Sequence, residues 1–507
     1  MKHRILSGNT AAIRVGFLTM TAAVAVATLA FTHLVRAKEP PTHPAKVNVA
    51  VSDSPLARDG RHAVSFAPVV KRVAASVVKV NVETKAKIIP MSQSPFGDND
   101  PRRFFFGNPL GGGGNMRTPA QRGLGSGVII TEDGYILTNN HVVDGADEIK
   151  VALNDGREFT AKVIGRDPKT EVAVIKIDAH GLPVVTLADS DKIEVGDVCL
   201  AIGNPFGVGQ TVTMGIVSAT GRGNVGLDYE DFIQTDAAIN PGNSGGALVD
   251  AEGRLIGLNT LILSRSGGYQ GIGFAVPSNL ARFIMTSLIE NGKVVRSYLG
   301  VVLQDVTPAL AKKFKLQNDE GALIGEVQAK SPADKAGLKD GDVVLTYNGK
   351  KVTDRGHLKI QVAETAPGTK VPLEVLRDGE RVSLHVTVRE KPGSEDEANA
   401  KPADEDNSES LKGVGVTDLD SQTRTQLRVP AGINGAVVNS VDQDSVAYAS
   451  GLREGDVIIE INKHSVRNAE DAVRLTQKLA DKTILLKVWS RQGGSSGTRF
   501  LVVDESK

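Results

Sequence analysis

The sequence predicts a mainly β chain of about three domains, and three observations carry that prediction. At 507 residues the chain is too long for one hydrophobic core. From Leu124 to about Pro277, short Val/Ile-rich runs broken by Gly, Asn or Asp recur every 8 to 12 residues, the spacing of antiparallel barrels or sandwiches. The last third holds an internal repeat, so two of the domains are copies of one unit. The 54 glycines and 4% aromatic content agree with a turn-rich β protein whose helices are few and short.

The elements follow in order. Lys2, Arg4 and Arg14 precede 21 uncharged residues from Val15 to Val35, and Ala37 ends an A-x-A-like site. Residues 1–37 read as an export signal, with an uncleaved membrane anchor as the competing reading, since the stretch is long enough to span a bilayer. Either places the rest outside the cytoplasm. Residues 38–65 are polar and Pro-containing, a flexible tether, and order is expected to begin near Phe66. A short helix over "APVVKRVAA" leads into a strand "SVVKVNVET". Residues 85–122 lose periodicity, the mark of a functional or disordered long loop; Phe104, Phe105 and Phe106 are either an insertion into a partner or exposed aromatics. After the strand-rich stretch, "SNLARFIMTSLIENG" reads as a helix stopped by Gly292.

The repeat aligns residues 322–352 with 436–466 without gaps, at an offset of 114. In both copies a serine, Ser331 or Ser445, can cap a short helix that stops at Gly337 or Gly451 before a strand beginning GDV. Between them, residues 391–410 are acidic and nearly free of large apolar side chains, as a solvated linker is.

Composition excludes several functions. Lys+Arg and Asp+Glu both total 59, so no global basic field favours nucleic acid or an anionic membrane; membrane contact is expected only if the amino-terminal segment stays uncleaved. The nine histidines show neither HExxH nor Cys/His ligand spacing, and no metal or cofactor is expected. Cys199 is alone and sits in an apolar strand-like run, as a buried small hydrophobe does.

One constellation carries chemistry. "TDAAINPGNSGGAL" presents Ser244 among glycines 242, 245 and 246, which suits a nucleophilic hydroxyl on a tight turn with backbone N–H groups converging on an oxyanion. "GYILTNNHVV" ends a strand at His141, a candidate general base, and a carboxylate-bearing segment, "DPKTEVAVIKID", lies between them. The chain order His, acid, Ser within an all-β unit is that of the chymotrypsin arrangement.

With "GSGVIIT", "GYILTNNHVV", "TDAAINPGNSGGAL", "GIGFAVPSN" and two copies of GL-x-x-GDV, the chain resembles the HtrA/DegP family of Do-like serine proteases from about Phe66 to its end. The resemblance implies a chymotrypsin-like double β-barrel protease domain (66–293) followed by two PDZ domains (297–390 and 411–505). It implies His141 as base, Ser244 as nucleophile, and an oxyanion hole shaped by Gly242, Asn243 and Ser244. Residues 221–232 and 263–273 match the family's regulatory loops, and the second, with Ile239, would help form an S1 pocket for small aliphatic residues. Peptide C-termini would add a strand near Tyr298, Leu299, Gly300 and Val301. The expected activity is ATP-independent endoproteolysis of unfolded or misfolded proteins, a quality-control and stress-response role in the periplasm, without cofactor, by a homotrimer or larger assembly. The alternative is a non-catalytic chaperone or PDZ adaptor on the same fold.

The third triad member departs from the family, which usually has Asp where this chain has Glu171. Asp167 precedes Pro168 and reads as a turn residue; Asp178 closes the strand and, seven residues from Glu171, is expected on the opposite face. Glu can orient an imidazole, but its extra methylene changes the reach by more than ~1 Å, a misplacement that costs about 100-fold unless the backbone compensates.

Overall fold

The computed structural model describes residues 49–52, 65–85, 87–89, 116–118, 121–204, 209–223, 226–262, 268–391, 408–411, 413–477, 483–492 and 495–504. The export signal or anchor, Phe104 to Phe106 and most of the acidic linker lie outside these residues. Among the described residues, no helix is long and apolar enough to cross a membrane.

The helix Ala67–Ala74 leads into the strand Val77–Thr84, which opens a closed six-stranded barrel. Round the ring it is followed by Gln121–Ile129, Tyr135–Asn139, Val172–Ile177, Glu158–Asp167 and Glu148–Ala152. Alternation turns Val78, Val80 and Val82 inward against Ile129, Ile136, Ile175 and Val151, so period-two patterning closes this barrel.

The second barrel runs Leu255–Ile262, Ala247–Asp250, Val198–Gly203, Thr211–Arg222, Phe232–Thr235 and Gly273–Pro277, and the last strand pairs back on the first. Cys199, Ala201, Val217, Ile233, Leu248 and Ala275 fill it. Burial pushes the Cys199 thiol up to about 11, which removes it as a nucleophile at neutral pH. Part of the tether is ordered: Val51–Ser52 pairs in parallel with Leu187–Ala188 on the outside of this barrel.

The helix Ser278–Asn291 buries Leu280, Ala281, Ile284, Met285 and Leu288 against strands of both barrels, each of the four larger side chains contributing about 1.5–3 kcal/mol. It ends as expected, with Gly292 at φ 69° in the left-handed region.

Both repeats fold alike. The first orders its strands Val301–Asp305, Ala322–Val327, Val343–Tyr347, Lys370–Arg377 and Glu380–Thr387, with the helix Arg355–Glu364 beside them. The second orders Val414–Asp418, Ala436–Val441, Val457–Ile461, Thr483–Gln492 and Ser495–Asp504, with the helix Ala469–Gln477. Ser331 Oγ accepts from Asp334 N and Ser445 Oγ from Tyr448 N, both at 3.1 Å, so the two caps stand as read. The first helix closes on Gly337, whereas the second ends on Ser450, with Gly451 following in the left-handed region. The repeats pack together: Phe500 of the second enters a pocket with Leu310, Leu323 and Leu376, edge-on to Phe314 at 5.6 Å.

Side chains also join the first repeat to the barrels. Arg296 pairs with Asp167 and lies 4.5 Å over the Tyr229 ring, with Lys359 at 4.5 Å from the same ring. Lys350 Nζ is 2.6 Å from Asp191. Asp167 is therefore more than a turn residue: it is buried, accepts from Thr170, and anchors the start of the first repeat.

Candidate active site

His141 and Glu171 come together at one end of the first barrel. The strand Tyr135–Asn139 ends in a single helical turn, Asn140–Val143, which carries His141 into the cleft at 4% exposure. Glu171 does not lie in the following strand. It occupies the turn just before Val172–Ile177, at φ 61°, so strand parity does not govern where it points. Asp178, just past the strand, is exposed.

The unusual backbone at Glu171 is tied down. Its carbonyl oxygen accepts from Asn140 N at 3.1 Å and from Asn139 Nδ2 at 2.9 Å. Asn139 Nδ2 also reaches Thr260 Oγ1 of the second barrel at 3.1 Å. The Glu171 carboxylate then meets three donors: Oε2 takes His141 Nδ1 at 2.8 Å and His141 N at 3.0 Å, and Oε1 takes Asn140 Nδ2 at 3.3 Å. The longer side chain therefore reaches the imidazole at ordinary hydrogen-bond length.

Burial raises the cost of charge on Glu171, but the adjacent His141 and the bonds from His141 and Asn140 override it and hold the carboxyl below its usual range. This carboxylate's stabilising contribution is therefore complete above the ordinary carboxylate pKa and is lost as pH falls through the lower folded value.

Ser244 lies across the cleft, on the loop before Ala247–Asp250, and its Oγ donates to Thr260 O at 3.1 Å. Gly242 stands at φ 99° and Gly245 at φ 84°, both in the region that favours glycine. Gly245 is also sterically obligatory, because a Cβ there would lie 2.1 Å from Ser126 O. Asn243 N donates to Asn240 O at 2.9 Å. Among the described residues, the flanking N–H groups of Gly242 and Ser244 donate to no protein acceptor. The Asn243 N–H is thus engaged within its own loop.

Ile239 is fully buried in the second barrel's core, and a Cβ on Gly273 would approach its side chain to 2.8 Å. Of the predicted pocket loop, residues 263–267 lie outside the described residues.

Sequence comparison places this geometry among known proteins. Residues 125–258 match the trypsin-like peptidase domain family, and residues 297–388 and 437–490 each match a PDZ domain family. A probable periplasmic serine endoprotease DegP-like of Chlamydia trachomatis is 43% identical over 387 residues, 76% of either chain. The periplasmic serine endoprotease DegP of Salmonella typhimurium is 40% identical over 464 residues, 88% of this chain and 94% of that one. The chain belongs to the HtrA/DegP family. It is a serine endopeptidase with a trypsin-like domain and two PDZ domains. Among solved structures, the HtrA-type protease AlgW with tripeptide is 49% identical, covering 65% of this chain and 98% of that one, with a TM-score of 0.51.

The two PDZ domains of this HtrA/DegP chain differ at the peptide-receiving edge. In the first, Val301–Asp305 is the terminal strand of its sheet, so among the described residues its outer edge is open. Gly300 there has φ 80°, and a Cβ on it would lie 2.3 Å from the Ser331 side chain; Leu299 is buried and Tyr298 pairs with Arg389. The Leu299 side chain therefore belongs to the core of this domain. A cavity of about 1170 Å³ lies along this edge, bounded by Ser297–Leu303, the helix start at Asp354–Gly356 and the barrel loop at Gly226–Glu230. In the second domain, Ser408–Leu411 pairs antiparallel with Val414–Asp418 and lies against the helix Ala469–Gln477, so the corresponding edge is already paired.

Where the first PDZ domain meets the barrels, burial and the neighbouring carboxylates of Glu364, Asp354 and Asp191 push Asp231 up to about 8, and burial with Asp191 pushes Glu364 to about 7. A carboxyl with a raised folded pKa stabilises the docked form while protonated and loses that contribution as pH rises through the folded value. Thermal unfolding followed at about pH 6 and about pH 9 should show a lower midpoint at the higher pH, and Asp231→Asn should flatten the difference. An unchanged slope in that variant would remove Asp231 from the linkage.

Proposed function

We propose that His141, Glu171 and Ser244 act as a catalytic triad cleaving unfolded or misfolded proteins in the periplasm. The observation that supports this best is the double acceptance by Glu171 Oε2 of the ring and backbone N–H of His141. With the carboxylate ionised, Nδ1 keeps the proton, and Nε2 is left as the base. Ser244 Oγ turns from Thr260 O, gives its proton to His141 and attacks the scissile carbonyl. The oxyanion falls to the N–H groups of Gly242 and Ser244, and Glu171 stabilises the imidazolium formed. His141 then protonates the leaving amine, and water releases the acyl group by the same route in reverse.

Ile239 and Gly273 help shape a pocket for small aliphatic side chains, and the open edge at Tyr298–Val301 receives the C-terminus of a substrate or activating peptide. The same family resemblance supports residues 66–293, 297–390 and 411–505 as the folded domains, the periplasm as the location and a homotrimer or larger assembly. Offered one protein in native and in reduced, alkylated form, the enzyme should hydrolyse the unfolded form at least ~10-fold faster, with cuts after small aliphatic residues. Equal rates on both forms would contradict the substrate class while leaving the chemistry in place.

A further inference from the structure

Ser126 lies on the first barrel, on the strand Gln121–Ile129, where its carbonyl accepts from Thr138 Oγ1, yet its hydroxyl and N–H both donate to the loop that carries Ser244. It is fully buried. Its hydroxyl accepts from Asn204 N at 2.9 Å and donates to Gly242 O at 2.7 Å. Its own N–H donates to Ser244 O at 2.8 Å. A trans peptide unit is planar, so fixing its C=O and N–H fixes its orientation. The unit joining Gly242 to Asn243 is held at both ends, its oxygen by the Ser126 hydroxyl and its N–H by Asn240 O at 2.9 Å. The unit joining Asn243 to Ser244 has its oxygen held by Gly246 N at 2.9 Å, which aims the Ser244 N–H the opposite way.

The two oxyanion donors are therefore set by different means. Ser244 N–H is aimed within its own loop. Gly242 N–H depends on the left-handed turn at Gly242, and the only side chain holding the peptide unit after that turn, among the described residues, is Ser126. We infer that Ser126 is a positioning residue for the oxyanion hole, tying the donor at Gly242 and the carbonyl of Ser244 to the opposite barrel. Asn204, on the same side as Gly242, orients the hydroxyl: its N–H occupies an oxygen lone pair, leaving the Ser126 proton for Gly242 O. Because the tie spans both barrels, it also fixes the distance between the barrel that carries His141 and the loop that carries Ser244.

This inference rests on the acyl-transfer reading above, and the experiment separates the two. Fluorophosphonate labelling of the native enzyme at Ser244 tests that reading, and it also titrates active sites in each variant. Per titrated site, Ser126→Ala should lower kcat about 10- to 100-fold with KM within about twofold, since misplacement near 1 Å and loss of one oxyanion donor have effects of this size. Affinity for a peptidyl aldehyde, which mimics the tetrahedral intermediate, should fall by the same factor, whereas binding of a peptide to the first PDZ domain should not move. Ser126→Thr, which keeps the hydroxyl, should restore most of kcat. Ser126→Cys keeps the volume but donates weakly, so it carries the same test if the alanine variant does not fold. A kcat per titrated site within twofold of native in Ser126→Ala or Ser126→Cys, or aldehyde affinity unchanged, would overturn the assignment.

Discussion

Replacing Ser244 by Ala should remove turnover by about 10⁶-fold while the fold remains. Among the described residues this hydroxyl makes one hydrogen bond, to Thr260 O at 3.1 Å, and an ordinary bond of that kind is worth about 1 kcal/mol. The backbone of the loop is held independently, through Ser126, Asn240 and Asn259. The thermal midpoint should therefore shift by a few degrees at most, and binding of a peptide to the first PDZ domain should be retained. Peptide hydrolysis assays with purified variant check this. Turnover above about 1% of native would mean that another group attacks the carbonyl.

Glu171→Gln is the second large effect, and the more informative one. The side chain keeps its shape but loses the charge that stabilises the His141 imidazolium, which costs about 10⁴-fold in kcat when the equivalent change is made in a serine-protease triad, or roughly 5.5 kcal/mol of barrier. Folding should survive for a specific reason. Gln can still offer its oxygen to the two His141 N–H groups, and its new NH₂ then faces Asn140 Nδ2. Asn140 Oδ1 is buried with no hydrogen-bond partner among the described residues, so turning the Asn140 amide presents an acceptor to that NH₂. Steady-state kinetics with thermal melts check both halves. Glu171→Asp, which keeps the charge but shortens the reach by about one methylene, should fall between native and Gln.

Much of this was legible in the sequence because it depends on local pattern. Val78, Val80 and Val82 alternate visibly and do line the barrel; Ser331 and Ser445 cap the helices they precede; the order of His141, an acid and Ser244 is a linear property. Glu171 stands beside His141 as the sequence leads one to expect, but not by the backbone geometry that strand alternation predicts. Strand parity separates it from Asp178 on paper, but Glu171 sits in a left-handed turn before the strand, a backbone state uncommon for a non-glycine residue and one that Asn139 and Asn140 stabilise from another segment. Tertiary bonds of this kind leave no local signature.

The same holds for Asp167, which reads as a turn residue but is buried against Arg296, and for Ser126, whose partners are 116 and 78 residues away. In the second repeat, GL-x-x-GDV gives no sign that the strand edge is paired by Ser408–Leu411, because the pairing strand comes from the end of the linker. Two copies of one motif thus present different binding edges.

In the proposed triad, Glu171 does the work that the family resemblance assigns to Asp. The rate constant for fluorophosphonate labelling of Ser244 isolates attack by the nucleophile from substrate binding and product release. In Glu171→Gln it should fall at least ~100-fold below native, at an unchanged melting temperature, because misplacing or discharging the group that orients the base costs at least that much. Labelling at the native rate in a folded Glu171→Gln protein would contradict the account and remove Glu171 from the triad.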